Sequence, residues 1–311
     1  MKKIIMTINQ FDQTLFFDLL FIKQGLTKLV VEKQEHYYYF DLDYNYFKND
    51  LSKVINDLKK IFEVNKYHKS PLIINLNLVN MFIEEIELPK LSFQEERKAI
   101  QIELNKYYND YQTRYLHLTK SYILNRQFKK IRVLLYDKEQ YFFLLQFIKQ
   151  LKHRVMSIRV ASDVLAQAVI KYRLVDLHQP FVFINVTLEN TMILVYHKRL
   201  ISHHLYHQGF KINSEEDNEA FVNRQSVFMN EVATEVKKVI YRQNNIAIDN
   251  IYLHIEPLND DKMRTLLIDN LNREVKNVLN TSSILPFLST AALLGPSPLC
   301  FKLPLKVKRQ K

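Results

Sequence analysis

Four histidines, His197, His203, His204 and His207, gather in one short stretch, and such residues can ligate a metal. His203 and His207 are four apart, which on a helix would put both rings on one face. The surrounding pattern reads as strand, where the two would still share a face but lie ~13 Å apart, too far to hold one ion. No metal site is assigned, and the cluster is read as surface or edge strand. Glu84, Glu85 and Glu87 raise acid–base chemistry. Alternation along a strand places Glu85 and Glu87 together, yet no adjacent side chain supplies a nucleophile or electrophile. Asp260-Asp261 reads as a helix N-cap, and Tyr37-Tyr38-Tyr39 as strand packing. The lone Cys300 excludes an internal disulfide framework and a cysteine-rich zinc site, and it reads as a small buried hydrophobe. No Ser/His/Asp set has a recognisable local context. No catalytic residue is assigned.

Glycine is scarce: Gly25, Gly209 and Gly295 are the only three. Phosphate loops use glycine so that backbone N–H groups can approach the anion closely. Neither a G-x-G-x-x-G loop nor a Walker-type loop can be built from these positions.

The 311 residues suit two domains or one composite domain, and 47% apolar content is ample for a core. No apolar run reaches the roughly 18 residues that span a bilayer. Near the start, Asn9, Gln10, Asp12 and Gln13 interrupt any signal-peptide core, so a cytosolic protein is expected. Net charge is +11 and unevenly spread. Arg114–Arg154 carries ten lysines and arginines against Asp137 and Glu139, and Lys302–Lys311 adds five more with no acid. The rest of the chain is slightly acidic. A concentrated basic surface, including Arg126, Lys129, Lys130, Lys306, Lys308 and Arg309, suits an acidic partner, anionic lipid or nucleic acid, or is simply a solvated face.

The elements follow from periodicity. Thr14–Ile22, Lys28–Lys33 and Tyr37–Leu42 read as strands, and Asn49–Val64 as a helix with Leu51, Val54, Ile55, Leu58 and Phe62 on one stripe. Leu72–Leu76 and Met81–Leu88 read as strands. The best-specified helix comes next. Ser92 and Glu95 form an S-x-x-E capping box, and Phe93, Arg97, Ile100, Leu104 and Tyr107/Tyr108 recur at helical spacing. Strands Tyr115–Leu124 and Lys130–Tyr136 precede a helix from Asp137 through Leu151 that is apolar nearly all round, as befits a helix between layers. A strand Val155–Val160 leads to a helix capped by Ser162. After His178-Gln179-Pro180 the pattern restarts. Strands Phe181–Val186, Thr191–Tyr196 and Leu200–His207 precede a helix ending near Arg242. A strand Ile251–Ile255 and a helix from Asp260 through Val278 follow, then an apolar segment Pro286–Gly295 and the basic tail.

This order predicts mixed α/β sheets with helices packed on their faces. A duplicated plan with a small insertion in its first half is the actin-like (ribonuclease H-like) arrangement. The expected divisions are 1–88 with 155–178 as the first core subdomain, 89–154 as the insertion, 179–300 as the second half and 301–311 as a basic tail. Glu87-Leu88-Pro89 runs into a helix with Glu95-Glu96, Ala99-Ile100, Glu103 and Tyr107. Two strands and a helix over Ile131–Leu151 follow, then the helix Asp163–Val169. Phe181–Leu194 stands where a strand-turn-strand phosphate loop would be, and Ala291–Gly295 forms a closing small-residue segment. In this order and with these residues the chain resembles the PilM family of type IV pilus assembly proteins, relatives of the cell-division protein FtsA.

Departures from that family's pattern bear on function. Members with an intact nucleotide site carry an Asp-x-Gly-type loop in each half and a glycine-rich adenosine loop later. In the first half the nearest stretch starts at Asp18 and lacks the glycine beside the acid. In the second, the acid and glycine positions read Asn185 and Thr187, and His254-Ile255-Glu256-Pro257 stands where adenosine glycines belong. Glu256 adds negative charge near any phosphate, and proline removes a donor. The resemblance therefore implies a degenerate ATP–Mg site, no cofactor and no turnover. It implies a cytoplasmic scaffold at the inner face of the cell membrane that holds the cytoplasmic N-terminal peptide of a PilN-like bitopic protein, alongside other pilus machine proteins. The peptide groove would be walled by Leu72, Ile74 and Leu76 and by Phe93, Arg97, Ile100, Leu104, Tyr107 and Tyr108 of the capped helix. The basic tail would add attraction to an anionic membrane, and homo-oligomerisation stays open. Two alternatives remain: a working actin-like ATPase of the FtsA/PilM group, and a nucleic-acid-binding protein using the basic stretches. The second lacks any recognised nucleic-acid motif.

Overall fold

The computed structural model describes residues 1–11, 14–24, 29–39, 47–78, 81–108, 111–123, 125–171, 173–187, 190–197, 200–206, 208–210, 217–242, 247–255, 261–278 and 301–304. The chain forms two compact units, Met1–Ala161 with Pro298–Lys311, and Ser162–Ser297.

The first unit is built on a six-stranded sheet. A meander of β1 (Lys2–Phe11), β2 (Thr14–Gln24) and β3 (Leu29–Tyr39) supplies one half. On the other side of β1 come parallel β4 (Leu72–Asn77) and β8 (Val155–Val160), then β14 (Lys302–Leu303) antiparallel to β8. Helices α1 (Phe47–Val64) and α4 (Lys138–Leu151) bury Leu51, Leu58, Phe62, Leu144 and Phe147 against Ile4, Phe21, Leu72 and Ile158 of this sheet. A smaller antiparallel sheet, ordered β5 (Met81–Pro89), β7 (Phe128–Asp137) and β6 (Tyr115–Ile123), lies between β4 and α4 in sequence. Its two faces have different neighbours. Met81, Leu134 and Tyr136 join the main core. Leu88, Ile131, Val133 and Leu135 instead pack under α2 (Phe93–Tyr107) and the short α3 (Tyr111–Arg114).

The second unit repeats the plan. The meander β9 (Phe181–Val186), β10 (Thr191–His197) and β11 (Leu200–Tyr206) is extended by parallel β12 (Asn250–Ile255) and β13 (Val275–Asn277). Its sheet order β11-β10-β9-β12-β13 matches β3-β2-β1-β4-β8 strand for strand and direction for direction. Helices α6 (Asn218–Arg242) and α7 (Asp261–Leu271) bury Met229, Val232, Val236, Met263 and Leu267 against it. The second unit's sequence opens with α5 (Ala161–Lys171), with Val164, Leu165, Ala168 and Val169 buried.

Several elements differ from the sequence expectation. Residues Lys2–Phe11 form a central strand where none was expected. Ile4, Ile5 and Met6 are all sealed, because a strand covered on both faces lacks the alternation that marks a half-exposed one. Residues 28–33 and 37–42, expected as two strands, fall largely in the single β3. Its polar middle, Glu32 to His36, sits on the sheet's edge strand, where charge is tolerated. Helix α4 is not enclosed all round: Tyr141, Leu144, Phe147 and Leu151 face the core while Phe142 is 51% exposed. Ser162 lies inside the first turn of α5 rather than capping it. The last helix stops at Leu271, where Asn272 takes a left-handed φ of 52°, and β13 occupies residues expected to be helical. The small sheet starts at Met81, and α4 belongs to the main core, so the inserted piece does not coincide with 89–154. Phe301 and Leu303, assigned to a basic tail, are buried, and the tail's first residues form a strand. Pro286–Gly295 lies outside the described residues.

Candidate functional site

Matching sheet orders make β1–β2 and β9–β10 equivalent hairpins. Asn9 is in register with Asn77 across the parallel β1–β4 pair, and Asn185 with His254 across β9–β12. Each pair is hydrogen-bonded. Asn77 Nδ2 donates to Asn9 Oδ1 at 3.0 Å, and His254 Nδ1 lies 2.8 Å from Asn185 Oδ1. Because that oxygen accepts, Nδ1 carries the proton. Burial pushes His254 down to about 4, so its ring is neutral near pH 7. The counterpart of Asn185 in the first half is therefore Asn9. Asp18, expected at that position, sits on β2 opposite Thr7 and accepts from Asn9 Nδ2 at 2.8 Å. Thr7 and Asn75 continue this polar row inside the sheet, Asn75 Nδ2 donating to Thr7 Oγ1 at 3.4 Å.

A phosphate-binding turn presents backbone N–H groups outward. In the β9–β10 turn, Thr187 N–H donates to Asn190 O at 2.9 Å, and Thr187 Oγ1 donates to the same oxygen at 3.0 Å. Asn190 N–H in turn donates to Thr187 Oγ1 at 3.2 Å. These two N–H groups are used by the turn itself. Thr187 and Asn190 are both buried, and Thr187 O further accepts from Phe210 N–H at 2.9 Å. Glu256 lies outside the described residues.

The expected groove residues separate into distinct places. Leu72, Ile74 and Leu76 on β4 are buried in the main core between β1 and β8. Ile100 and Leu104 are buried on the far face of the small sheet, with Tyr111, Ile131 and Val133. Tyr108 packs its ring 5.3 Å from Phe82 and donates its hydroxyl to Glu84. Phe93 and Tyr107 are 81% and 74% exposed, and Arg97 is exposed. Burial and, second to it, the charge of Arg97 hold His117 below its ordinary value; Tyr111 Oη lies 3.2 Å from His117 Nδ1. The capped helix thus covers the side of the small sheet turned away from β4, and the two sets do not wall one opening.

Sequence reasoning missed β14; its Leu303 and the adjacent Phe301 are buried in the main core. Phe301 lies between two cations, its ring centre 5.3 Å from Lys120 Nζ and 5.4 Å from Arg132 Cζ. Leu303 enters the main core, Tyr141 donates its hydroxyl to Pro304 O, and β14 pairs through Lys302 and Leu303 with Arg159 and Ile158. A usable signal was present: Phe301-Lys302-Leu303 alternates apolar and polar just before Pro304.

Basic residues are partly spoken for. Lys129 pairs with Glu96, and Lys130 with Glu85 at 2.6 Å, while Arg126 is exposed. Lys306, Lys308 and Arg309 lie outside the described residues. His204 Nε2 lies 3.1 Å from Glu235 Oε2, and His207 is not described. Among the described residues no three His, Cys, Asp or Glu side chains are placed to hold a metal. No described helix is long and apolar enough to cross a membrane.

No protein-family model and no curated protein matches the sequence. Solved structures do match the fold. A chain of the PilM–PilN type IV pilus biogenesis complex superposes with a TM-score of 0.64 at 12% identity, over 89% of this chain and 88% of that one. The cytoplasmic domain of EpsL, an inner membrane component of the type II secretion system of Vibrio cholerae, gives 0.54 at 9% identity, over 96% and 98%. The fold is the mixed α/β, actin-like one.

Proposed function

We propose that this chain is a scaffold of a type IV pilus or related secretion machine, binding the extended cytoplasmic N-terminal peptide of a PilN-like inner-membrane protein without nucleotide turnover. The observation that carries the reading is the likeness to the PilM–PilN complex chain, which spans nearly the whole of both chains. Two features support the absence of turnover. Neither hairpin brings an acid beside a glycine, since Asn9 and Asn185 stand there and are bound to Asn77 and His254. The second turn also spends Thr187 and Asn190 N–H on itself. In an actin-like ATPase those positions would carry a carboxylate acting through Mg²⁺ and free N–H donors for phosphate. A carboxamide has no charge to offer the metal.

Calorimetric titration of the full chain with a synthetic peptide of the PilN-like protein's cytoplasmic N-terminus tests this. The expected result is saturable one-to-one binding that is unchanged by ATP–Mg²⁺. Absence of binding to a folded chain would contradict it.

A further inference from the structure

One end of the first unit's main sheet gathers cations from four separate stretches of chain. Lys2 opens β1 and stands opposite Lys23, an exposed residue at the close of β2. Lys2 Nζ donates to Lys66 O at 3.3 Å and lies 4.5 Å from the centre of the Tyr67 ring, so the turn after α1 folds against the start of β1. That turn leads through Lys69 to β4, where Pro71 O accepts from Ile4 N–H and Leu72 N–H donates to Arg154 O. Arg154 thereby joins the same end, with Lys149 from the last turn of α4 and Lys152 as its C-cap. All but Lys2 are exposed, and among the described residues none of these side chains is ion-paired. The described acids that accompany them are Glu63 and Glu32, the second accepting from Tyr67 Oη at 2.6 Å.

The needs of the fold account for only part of this. A helix C-terminus favours cations, which covers Lys149 and Lys152. Lys2, Lys23, Lys69 and Arg154 lie on strands and connections, where like charges brought together repel. Lys66 and Lys152 also take left-handed φ values of 61° and 53°, at positions that glycine or asparagine usually fills. The second unit, built on the same plan, lacks the cluster. The residues that enter β12 and β13 there are Asp249 and Glu274, and the neighbouring Arg273 donates to Ile248 O. Apolar surface accompanies the charge in the first unit. Val64, the last residue of α1, is 78% exposed. A concavity of about 560 Å³ beside Lys149 and Lys152 has Leu145 in its wall, and Lys59 Nζ ties α1 to it through Gln150 O at 3.3 Å. The rings of Phe62 and Tyr67 at this end are buried and offer bases no stacking face. Cations mixed with exposed aliphatic side chains suit the headgroup layer of a bilayer, where phosphates meet acyl chains. We propose that this end of the first unit's sheet is a docking surface for a membrane leaflet rich in anionic phospholipid. It needs neither the scaffold reading above nor the tail cations Lys306, Lys308 and Arg309.

Sedimentation of the full chain with vesicles at physiological salt tests this. Vesicles of phosphatidylcholine alone are compared with vesicles that also contain phosphatidylserine. A patch variant carries Lys23→Gln, Lys69→Gln, Lys152→Gln and Arg154→Gln. A control variant removes the same charge at exposed sites elsewhere, through Lys90→Gln, Lys98→Gln, Arg126→Gln and Lys237→Gln. Circular dichroism checks that both are folded. The wild-type chain is expected to bind only the vesicles with phosphatidylserine. The patch variant should bind them roughly ten-fold more weakly or worse, and the control variant within about two-fold of wild type. No binding by the wild-type chain, or equal losses in the two variants, overturns the proposal. A short DNA duplex serves as the competing probe. Tighter binding to the duplex than to vesicles, lost in the patch variant, overturns the membrane assignment and gives the surface to nucleic acid.

Discussion

Leu104 and Tyr107 stand three residues apart on α2 in opposite surroundings: the first is 1% exposed under the small sheet, the second 74% exposed. Leu104→Ala should therefore cost about 2–5 kcal/mol of stability, as a cavity in a packed cluster does, and Tyr107→Ala should stay within about 0.5 kcal/mol of wild type. Urea midpoints measure both; equal losses would misplace the helix face. His254 supplies a pH test. Burial lowers it from its ordinary 6.5 to about 4, so between those values the unfolded chain takes up a proton that the folded chain refuses. Stability must fall as pH drops through that window, by about 3 kcal/mol at most. His117 and His153, both lowered chiefly by burial, act in the same direction. Replacing His254 with Gln should flatten the acid-side slope of urea midpoints measured between pH 7 and pH 4. An unchanged slope would mean the ring is not the buried neutral group described. Asn9 was harder to see than Asn185. Both follow an isoleucine, but Asn9 lies in a strand that lacks the alternation of a half-exposed one, so Asp18 drew attention instead.

At the scale of elements, local signals were reliable where they were chemically specific. The capping box of α2 is present as the Ser92 and Glu95 spacing predicted: Glu95 N–H donates to Ser92 Oγ at 3.4 Å, and Ser92 N–H to Glu95 Oε2 at 3.0 Å. The Ser92 hydroxyl, donating to Glu95 Oε2 at 2.7 Å, and then the Ser92 N–H hold the Glu95 carboxyl below its ordinary range. Ser92→Ala should cost about 1 kcal/mol and speed amide exchange in the first turn of α2, leaving the second unit's exchange unchanged. Exchange no faster than wild type would show that another contact anchors that turn. Elements whose identity depends on tertiary surroundings were less legible. The polar centre of β3 needs an edge position to make sense, and the short β13 and β14 need partner strands that lie far away in sequence.

Across the whole molecule, the duplicated plan was readable because each half restarts with a meander. The place of β14 was not, because Phe301 and Leu303 acquire their meaning only when β8 and the small sheet fold beside them. Basic charge also needed the structure. Neutralising Lys129 and Lys130 should hardly change attraction to anionic lipid, since Glu96 and Glu85 already balance them. Exchanging Lys306, Lys308 and Arg309 for Gln should weaken binding to phosphatidylserine vesicles by about 1 kcal/mol per residue at low salt. Sedimentation with vesicles checks both, and equal effects from the two sets would contradict the assignment. The proposed use of an actin-like fold without nucleotide is tested most directly by heating the full chain with and without millimolar ATP–Mg²⁺, followed by calorimetric titration. No shift and no heat of binding are expected. A site with Kd near 10 µM would add about 2.7 kcal/mol at hundred-fold excess, and the several-degree rise that follows would contradict it.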